Sequence, residues 1–368
     1  MIFLTGVFTI VHVFFYLILA WKWRKIPFIT ANKRGQYFSV IIPARNEVEN
    51  IRNILADMVN QSYSKDQFEV IVVDDFSDDG TKEAVEEFTK TSDLDLKIIR
   101  LSDEMLKGKK YALTKGVEVA GNDLILTTDA DCRINSEWIQ SFDYAFSEHV
   151  QIVAGPVELE GKGVFASMQR AEFAGMMAFG GVTLSSNNPS MCSGANLGFR
   201  KQAFVQVGGY EGNLQIPSGD DEFLLYDIMK AFPESGRFLK SKGALVKTQA
   251  HSSFGKFVNQ RLRWVSKWRY NKNIKLRYTA VLFFADYLFF VAGIIAAVYG
   301  NVSTGVISLI FGMRFASNYL LIKLSGSLLN NTNLFWPLFA LQIFYPFHVL
   351  FMGVVSIFGR YTWKGRKY

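Results

Sequence analysis

The chain has 368 residues, a formal net charge of +7, and 49% hydrophobic residues that include 33 Phe. That length allows a large domain and more besides. Its two cysteines, Cys132 and Cys192, lack metal-site spacing and exclude a cysteine-built metal centre; they read as reduced thiols in a cytoplasmic setting. The basic excess flanks apolar segments and no nucleic-acid motif accompanies it, so nucleic acid is excluded as the partner.

In chain order, residues 2–20 carry no formal charge and are followed at once by Trp21-Lys22-Trp23-Arg24-Lys25. A run of about 20 apolar residues is enough for one membrane-spanning helix, so 1–24 is predicted to be an N-terminal transmembrane anchor. By the positive-inside rule the chain after it is cytoplasmic. A secretory signal would start basic and end in small residues at a cleavage site, and "LILAWKWRK" offers neither.

From residue 37 short apolar runs alternate with helical patterns. The strands are "YFSVIIPA", "FEVIVVDD", "LKIIRL" and "DLILTTD"; the helices fall near 47–60, 79–90 and 109–120. Such alternation predicts βαβ units and a mostly parallel sheet, here over 36–252. Ligands of these sheets bind beyond the carboxyl ends of the strands. Those ends carry Pro43-Ala-Arg-Asn-Glu47, Asp74-Asp75 and Asp129-Ala-Asp131. Asp78 and Asp79 read as helix caps before Thr81, and Lys109 and Lys110 also fit an ordinary solvated surface.

Residues 253–273 form a basic stretch with apolar residues at helical spacing, predicted to lie in a membrane interface. The region 276–358 holds three apolar segments, roughly 278–299, 303–323 and 333–358, and 359–368 is a basic tail. Three spans after a cytoplasmic domain would put that tail outside, whereas Arg360, Lys364, Arg366 and Lys367 argue for inside. One of the three segments is therefore expected to be re-entrant, interfacial or broken, and Pro337 and Pro346 make 333–358 a candidate. Asp286 and Arg314 fall at similar depth if the first two segments form a hairpin, and they are expected to pair.

The strings "SVIIPARNE", "VIVVDDFSDDGT", "KGKKYALTKG", "TTDADC", "GANLGFRK", "GDDEFLLYDI" and "QRLRW" occur in this order over about residues 38–270. The sequence thereby resembles the family 2 glycosyltransferases, inverting enzymes with an α/β GT-A (Rossmann-like) nucleotide-sugar-binding fold. The resemblance implies that Pro43, Ala44, Asn46 and Glu47 run along the nucleoside. It puts Asp75 on a pyrimidine base, favouring uracil, with Phe76 standing where the family usually has Gly. Lys109 would balance charge at the nucleotide. Asp129 and Asp131 would hold Mg²⁺ or Mn²⁺ at the diphosphate, Asp131 more directly and Asp129 nearer the nucleoside; hard oxygen ligands suit either ion. Asp221 aligns with the catalytic base and Asp220 is its neighbour, although an acidic first turn also suits a helix dipole. Gly194, Ala195 and Asn196 would floor the acceptor side. Gln260, Arg263 and Trp264 match QxxRW, with Arg263 on the diphosphate and Trp264 at the acceptor edge; a membrane-surface helix without a catalytic part is the alternative.

The layout is most similar to ceramide- or carotenoid-type lipid glycosyltransferases. It implies a multi-pass membrane enzyme moving a hexose from a UDP-sugar to a lipid hydroxyl. A processive β-glycan synthase extending a growing glycan, and an inactive membrane scaffold, are the alternatives. The Phe- and Met-containing segment 163–184 reads either as core or as lipid contact.

Overall fold

The computed structural model describes residues 2–29, 33–102, 107–216, 218–271, 273–330, 333–358, 362–363 and 366–367; at 268, 269 and from 356 onward only the backbone is described. Arg360 and Lys364 of the basic tail lie outside the described residues.

The helices are α1 (Ile2–Lys25), α2 (Val48–Val59), α3 (Thr81–Thr91), α4 (Lys109–Val119), α5 (Trp138–Ala145), α6 (Val164–Ser185), α7 (Lys201–Gln206), α8 (Asp220–Ala231), α9 (Phe254–Ser266), α10 (Ile274–Val298), α11 (Thr304–Ser325) and α12 (Phe335–Phe358). The strands are β1 (Phe38–Ala44), β2 (Phe68–Asp74), β3 (Leu96–Arg100), β4 (Leu124–Thr127), β5 (Arg133–Ile134), β6 (Ile152–Ala154), β7 (Val157–Glu160), β8 (Leu197–Arg200), β9 (Gly236–Phe238), β10 (Val246–Gln249), β11 (Thr362–Trp363) and β12 (Arg366–Lys367), the last two paired with each other. The chain divides into a sheet unit, residues 26–160 and 183–249, and a helical unit, residues 1–25, 161–182 and 250–368.

In the sheet unit the described strands form a seven-stranded sheet in the order β3-β2-β1-β4-β8-β6-β9. The first four run parallel, β8 is antiparallel to both its neighbours, and β6 and β9 are parallel. The mostly parallel sheet read from the sequence is therefore present. Val40, Ile41 and Ile42 of β1 and Val70 to Val73 of β2 are completely buried, which is why these strands read as unbroken apolar runs rather than alternating ones. Because β1 lies between β2 and β4, the connections after β1 and β4 leave in opposite directions and open a crevice at the carboxyl ends. A smaller three-stranded sheet, β5-β10-β7, completes the unit. The segment entering β1 is pinned by Asp143, whose carboxylate accepts backbone N–H groups of Arg34, Gly35 and Gln36 at 2.7, 3.2 and 3.0 Å.

In the helical unit, among the described residues, α1, α10, α11 and the stretch Phe335–Val355 of α12 are long and apolar enough to cross a membrane. The expected pair is formed: Arg314 Nη1 and Nη2 donate to Asp286 Oδ1 and Oδ2 at 2.6 and 2.7 Å, both side chains buried. Nothing local in the sequence marks what else joins it. His12 Nδ1 meets Asp286 Oδ2 and its Nε2 meets Asn318 Oδ1, both at 2.9 Å, and Asn318 donates to Gln342 Oε1 at 2.8 Å. One network thus takes a side chain from each of α1, α10, α11 and α12. Of the three possibilities for 333–358, a break is not found: α12 runs unbroken to Phe358 with Pro346 inside it. Pro337 falls in the first turn, where no N–H is needed, and membrane helices tolerate an internal proline because neighbouring groups re-satisfy the freed carbonyl.

Candidate active site

At the carboxyl ends of β1, β2 and β4 the sheet unit gathers most of the residues singled out in the sequence. β1 and β2 pair in register through Ala44 and Asp74, so Asp75 begins the loop next to the one opening at Arg45. The two loops are laced together. Asn46 N–H donates to Ser77 Oγ at 3.0 Å, Asp78 N–H to Asn46 Oδ1 at 3.1 Å, and Glu47 N–H to Thr81 Oγ1 at 2.8 Å. Asp79 serves both following helices, accepting from Val48 N and Thr81 N at 3.0 Å each; Asp78 contributes its backbone instead. Arg45 Nη1 clasps the carbonyls of Asp75 and Phe76 at 2.5 and 3.3 Å. It holds Phe76 at φ +57, a left-handed conformation that is an outlier for a bulky residue. Asp75 is buried and accepts Gly108 N–H at 3.1 Å, which docks the start of α4 against the end of β2.

α4 places Lys109 and Lys110 away from open solvent. Lys110 is buried and donates to the carbonyl and side-chain oxygens of Asn213 at 2.7 and 2.9 Å, so the solvated reading does not hold for it. Lys109 Nζ lies 2.6 Å from Asp129 Oδ1 and 3.3 Å from Asp220 Oδ2. Burial alone would lower the Lys109 pKa, but the carboxylates of Asp129 and Asp220 outweigh it and hold the ammonium well above its usual range. Burial likewise works to raise Asp220, and Lys109 reverses the sign and leaves it lowered. The two shifts agree on a charged bridge between the end of β4 and the start of α8.

Asp221 follows in the first turn of α8. Its Oδ2 accepts Gly194 N–H at 3.0 Å and its Oδ1 accepts Glu222 N–H at 2.8 Å, so the carboxylate is aimed by two backbone donors. Gly194 sits where these groups converge: a Cβ there would lie 2.9 Å from Asp220 Oδ2 and 3.3 Å from Lys109 Nζ. Thr127, at the end of β4, donates to Gly194 O at 2.8 Å and fixes that backbone. Ala195 is buried beside it. The Asn196 side chain is buried and committed inward, donating to Pro156 O and Ala244 O at 2.7 and 2.8 Å and accepting Trp138 Nε1–H at 2.9 Å.

Asp129, Asp131 and Cys132 bring one ligand atom each within 4.8 Å of one another. Burial pushes the Cys132 thiol well up, and Asp129 and Asp131 add to the shift, which leaves a hard two-carboxylate donor set suited to a divalent cation. Sequence reasoning missed Arg45, Thr127 and Tyr210. Burial and the charge of Asp220 raise the Tyr210 phenol well above its usual range; no spacing rule marks any of the three. Gln260, Arg263 and Trp264 belong to the helical unit, where intervals of three and four place them on one face of α9.

The family model "Glycosyl transferase family 2" matches residues 39–208, and "Glycosyl transferase family group 2" matches residues 124–363, about two thirds of the chain. Glycosyltransferase AglE of Haloferax volcanii is 32% identical over 186 residues, which is 50% of this chain and 59% of that protein. The beta-monoglucosyldiacylglycerol synthase of Trichormus variabilis is 30% identical over 103 residues, 28% of this chain and 22% of its own. These matches span less than two thirds of the relatives' lengths. Mannosyltransferase PcManGT from Pyrobaculum calidifontis, solved with GDP-Man and Mn²⁺, shares the fold at TM-score 0.57 and 16% identity, covering 96% of this chain and 98% of that one. With a GT-A-like sheet carrying its acidic cluster at the switch point, and family models that together run from residue 39 to 363, the chain belongs to the family 2 glycosyltransferases.

Proposed function

We propose that this chain is a membrane-bound inverting glycosyltransferase, moving a hexose from a UDP-sugar to a lipid hydroxyl at the cytoplasmic face. The observation that carries the reading is the convergence of Asp129, Lys109, Asp220, Gly194 and Asp221 on one wall of the sheet crevice. Asp221 is the base: held by Gly194 N–H and Glu222 N–H, it takes the proton of the acceptor hydroxyl as the hydroxyl oxygen bonds to the anomeric carbon and the nucleoside diphosphate departs. Asp129 and Asp131 would hold Mg²⁺ or Mn²⁺, which would supply stabilisation of negative charge on the leaving diphosphate. Lys109 keeps Asp220 charged and holds both Asp129 and Asp220 in place. Asp75, with the Pro43–Glu47 loop laced to its own, reads the base; Gly194 and Ala195 floor the acceptor side and Asn196 supports them from beneath. On α9, Gln260, Arg263 and Trp264 serve the diphosphate and the acceptor edge. The four long apolar helices and the lipid product named for the beta-monoglucosyldiacylglycerol synthase support a lipid acceptor.

The test is incubation of the purified full chain with membranes and a panel of labelled nucleotide sugars in Mn²⁺. An organic-soluble product carrying one sugar is expected. A long insoluble polymer would establish a processive synthase instead, and no transfer from any donor together with no nucleotide binding would establish a scaffold.

A further inference from the structure

Arg261 stands inside the QxxRW string yet is not one of its three named positions. In the helical unit it is buried and fully engaged. Its Nε and Nη2 reach Glu172 Oε1 and Oε2 at 3.3 and 2.6 Å, a two-pronged pair with both partners buried. Its Nη1 donates to Gln260 Oε1 at 2.6 Å. Its guanidinium plane lies over the rings of Trp264 and Phe257, 4.3 and 4.4 Å from their centroids. Glu172 comes from α6, and Phe173 beside it sets its ring 6.3 Å from that of Trp264. One turn earlier on α6, Gln169 exchanges two hydrogen bonds with the His251 backbone, at 2.9 and 3.0 Å.

A buried ion pair is a poor source of stability, since apolar side chains of similar volume do as well or better. What this one supplies is geometry. A guanidinium has enough fixed donors to grip a carboxylate with two and still direct a third at Gln260, while its face stacks on Trp264; a lysine could not do all of this. We propose that Glu172 and Arg261 are positioning residues that set the side chains of Gln260 and Trp264 for the acceptor. This rests on the reading of Gln260 and Trp264 as site residues given above.

The experiment is a double-mutant cycle in the full-length protein. Glu172→Gln should raise the acceptor KM and lower the acceptor kcat/KM about ten- to a hundredfold, as a small misplacement at a site does, with the nucleotide-sugar KM unchanged. Glu172→Asp should recover part of the loss. Adding Glu172→Gln to a Gln260→Ala, Trp264→Ala background should cost nothing further. Multiplicative losses in the combined variant, or an unaltered acceptor KM in Glu172→Gln, would overturn the proposal. Hydrogen exchange over residues 254–266 gives an answer without turnover: Glu172→Gln should speed it about tenfold, and rates equal to wild type would count against the brace. Absence of transfer by the wild-type chain would overturn the proposed function instead, leaving the exchange result to decide this inference. If Glu172→Gln does not yield a monodisperse protein, Arg261→Lys is measured in its place with the same expectations.

Discussion

Asp221 is aimed by two backbone donors rather than by a neighbouring side chain, so its replacement should disturb chemistry and little else. Asp221→Asn should lower transfer by about 10²-fold or more, the usual contribution of a positioned general base, with nucleotide affinity retained in an equilibrium binding assay. Chelation should abolish transfer and added Mn²⁺ restore it, while Asp131→Asn should weaken that restoration; transfer at full rate in chelator would contradict the metal assignment. The bridge between Lys109 and Asp220 fixes a pH dependence. Asp220 is lowered in the fold, so its contribution is complete above the ordinary value of 3.8 and is lost as pH falls through the folded pKa. Lys109 is raised, so its contribution is complete below 10.5 and is lost only as pH climbs through its folded value. In chelator, thermal unfolding of wild type and Asp220→Asn should differ across neutral pH and converge as pH falls through the lowered pKa of Asp220. At this scale the acidic residues were legible because charge at a strand end is costly without a use. Asn196 shows the limit: its type and place in "GAN" are visible, but that its amide turns inward to Pro156, Ala244 and Trp138 depends on distant backbone.

Between elements the contacts depend on small residues at close approach. Gly116 of α4 faces β1, where an added Cβ would lie 2.5 Å from Ile41 Cγ2. Alanine would gain helix propensity of about 1 kcal/mol, yet Ile41 is stiff at χ1 and fully buried. Gly116→Ala should therefore be net destabilising, by about 1–2 kcal/mol, measured as a lowered unfolding midpoint. The strands and helices of the sheet unit could be read in advance because their buried apolar runs and breaker residues are local signals. The antiparallel insertion of β8 between β4 and β6 was not, since it pairs residues far apart in the chain. The unbroken α12 was missed for a related reason. A proline's effect on a helix depends on whether neighbours can satisfy the carbonyl it frees, and one segment's sequence does not contain its neighbours.

Across the whole molecule the least local feature is the buried network of the helical unit. Removing one member of the Asp286–Arg314 pair leaves a buried charge unmatched, at a cost of about 3–5 kcal/mol. Asp286→Arg and Arg314→Asp should each reduce the yield of folded protein, and the exchanged double variant should recover part of it, read by size-exclusion chromatography in detergent. His12→Leu should cost less than either, because Asp286 keeps both bonds from Arg314. The pair was visible as two charges inside apolar segments. His12 was not, because a single histidine among aromatic residues gives no sign of its partner. That distance has a consequence for biosynthesis. His12 precedes Asp286 by 274 residues and Asn318 by 306, so the first helix leaves the ribosome long before anything exists to complement it. At about 5–20 residues per second it waits on the order of tens of seconds for the last helices, which makes a nascent chain stalled or cut before α10 a natural client for membrane chaperones and proteases.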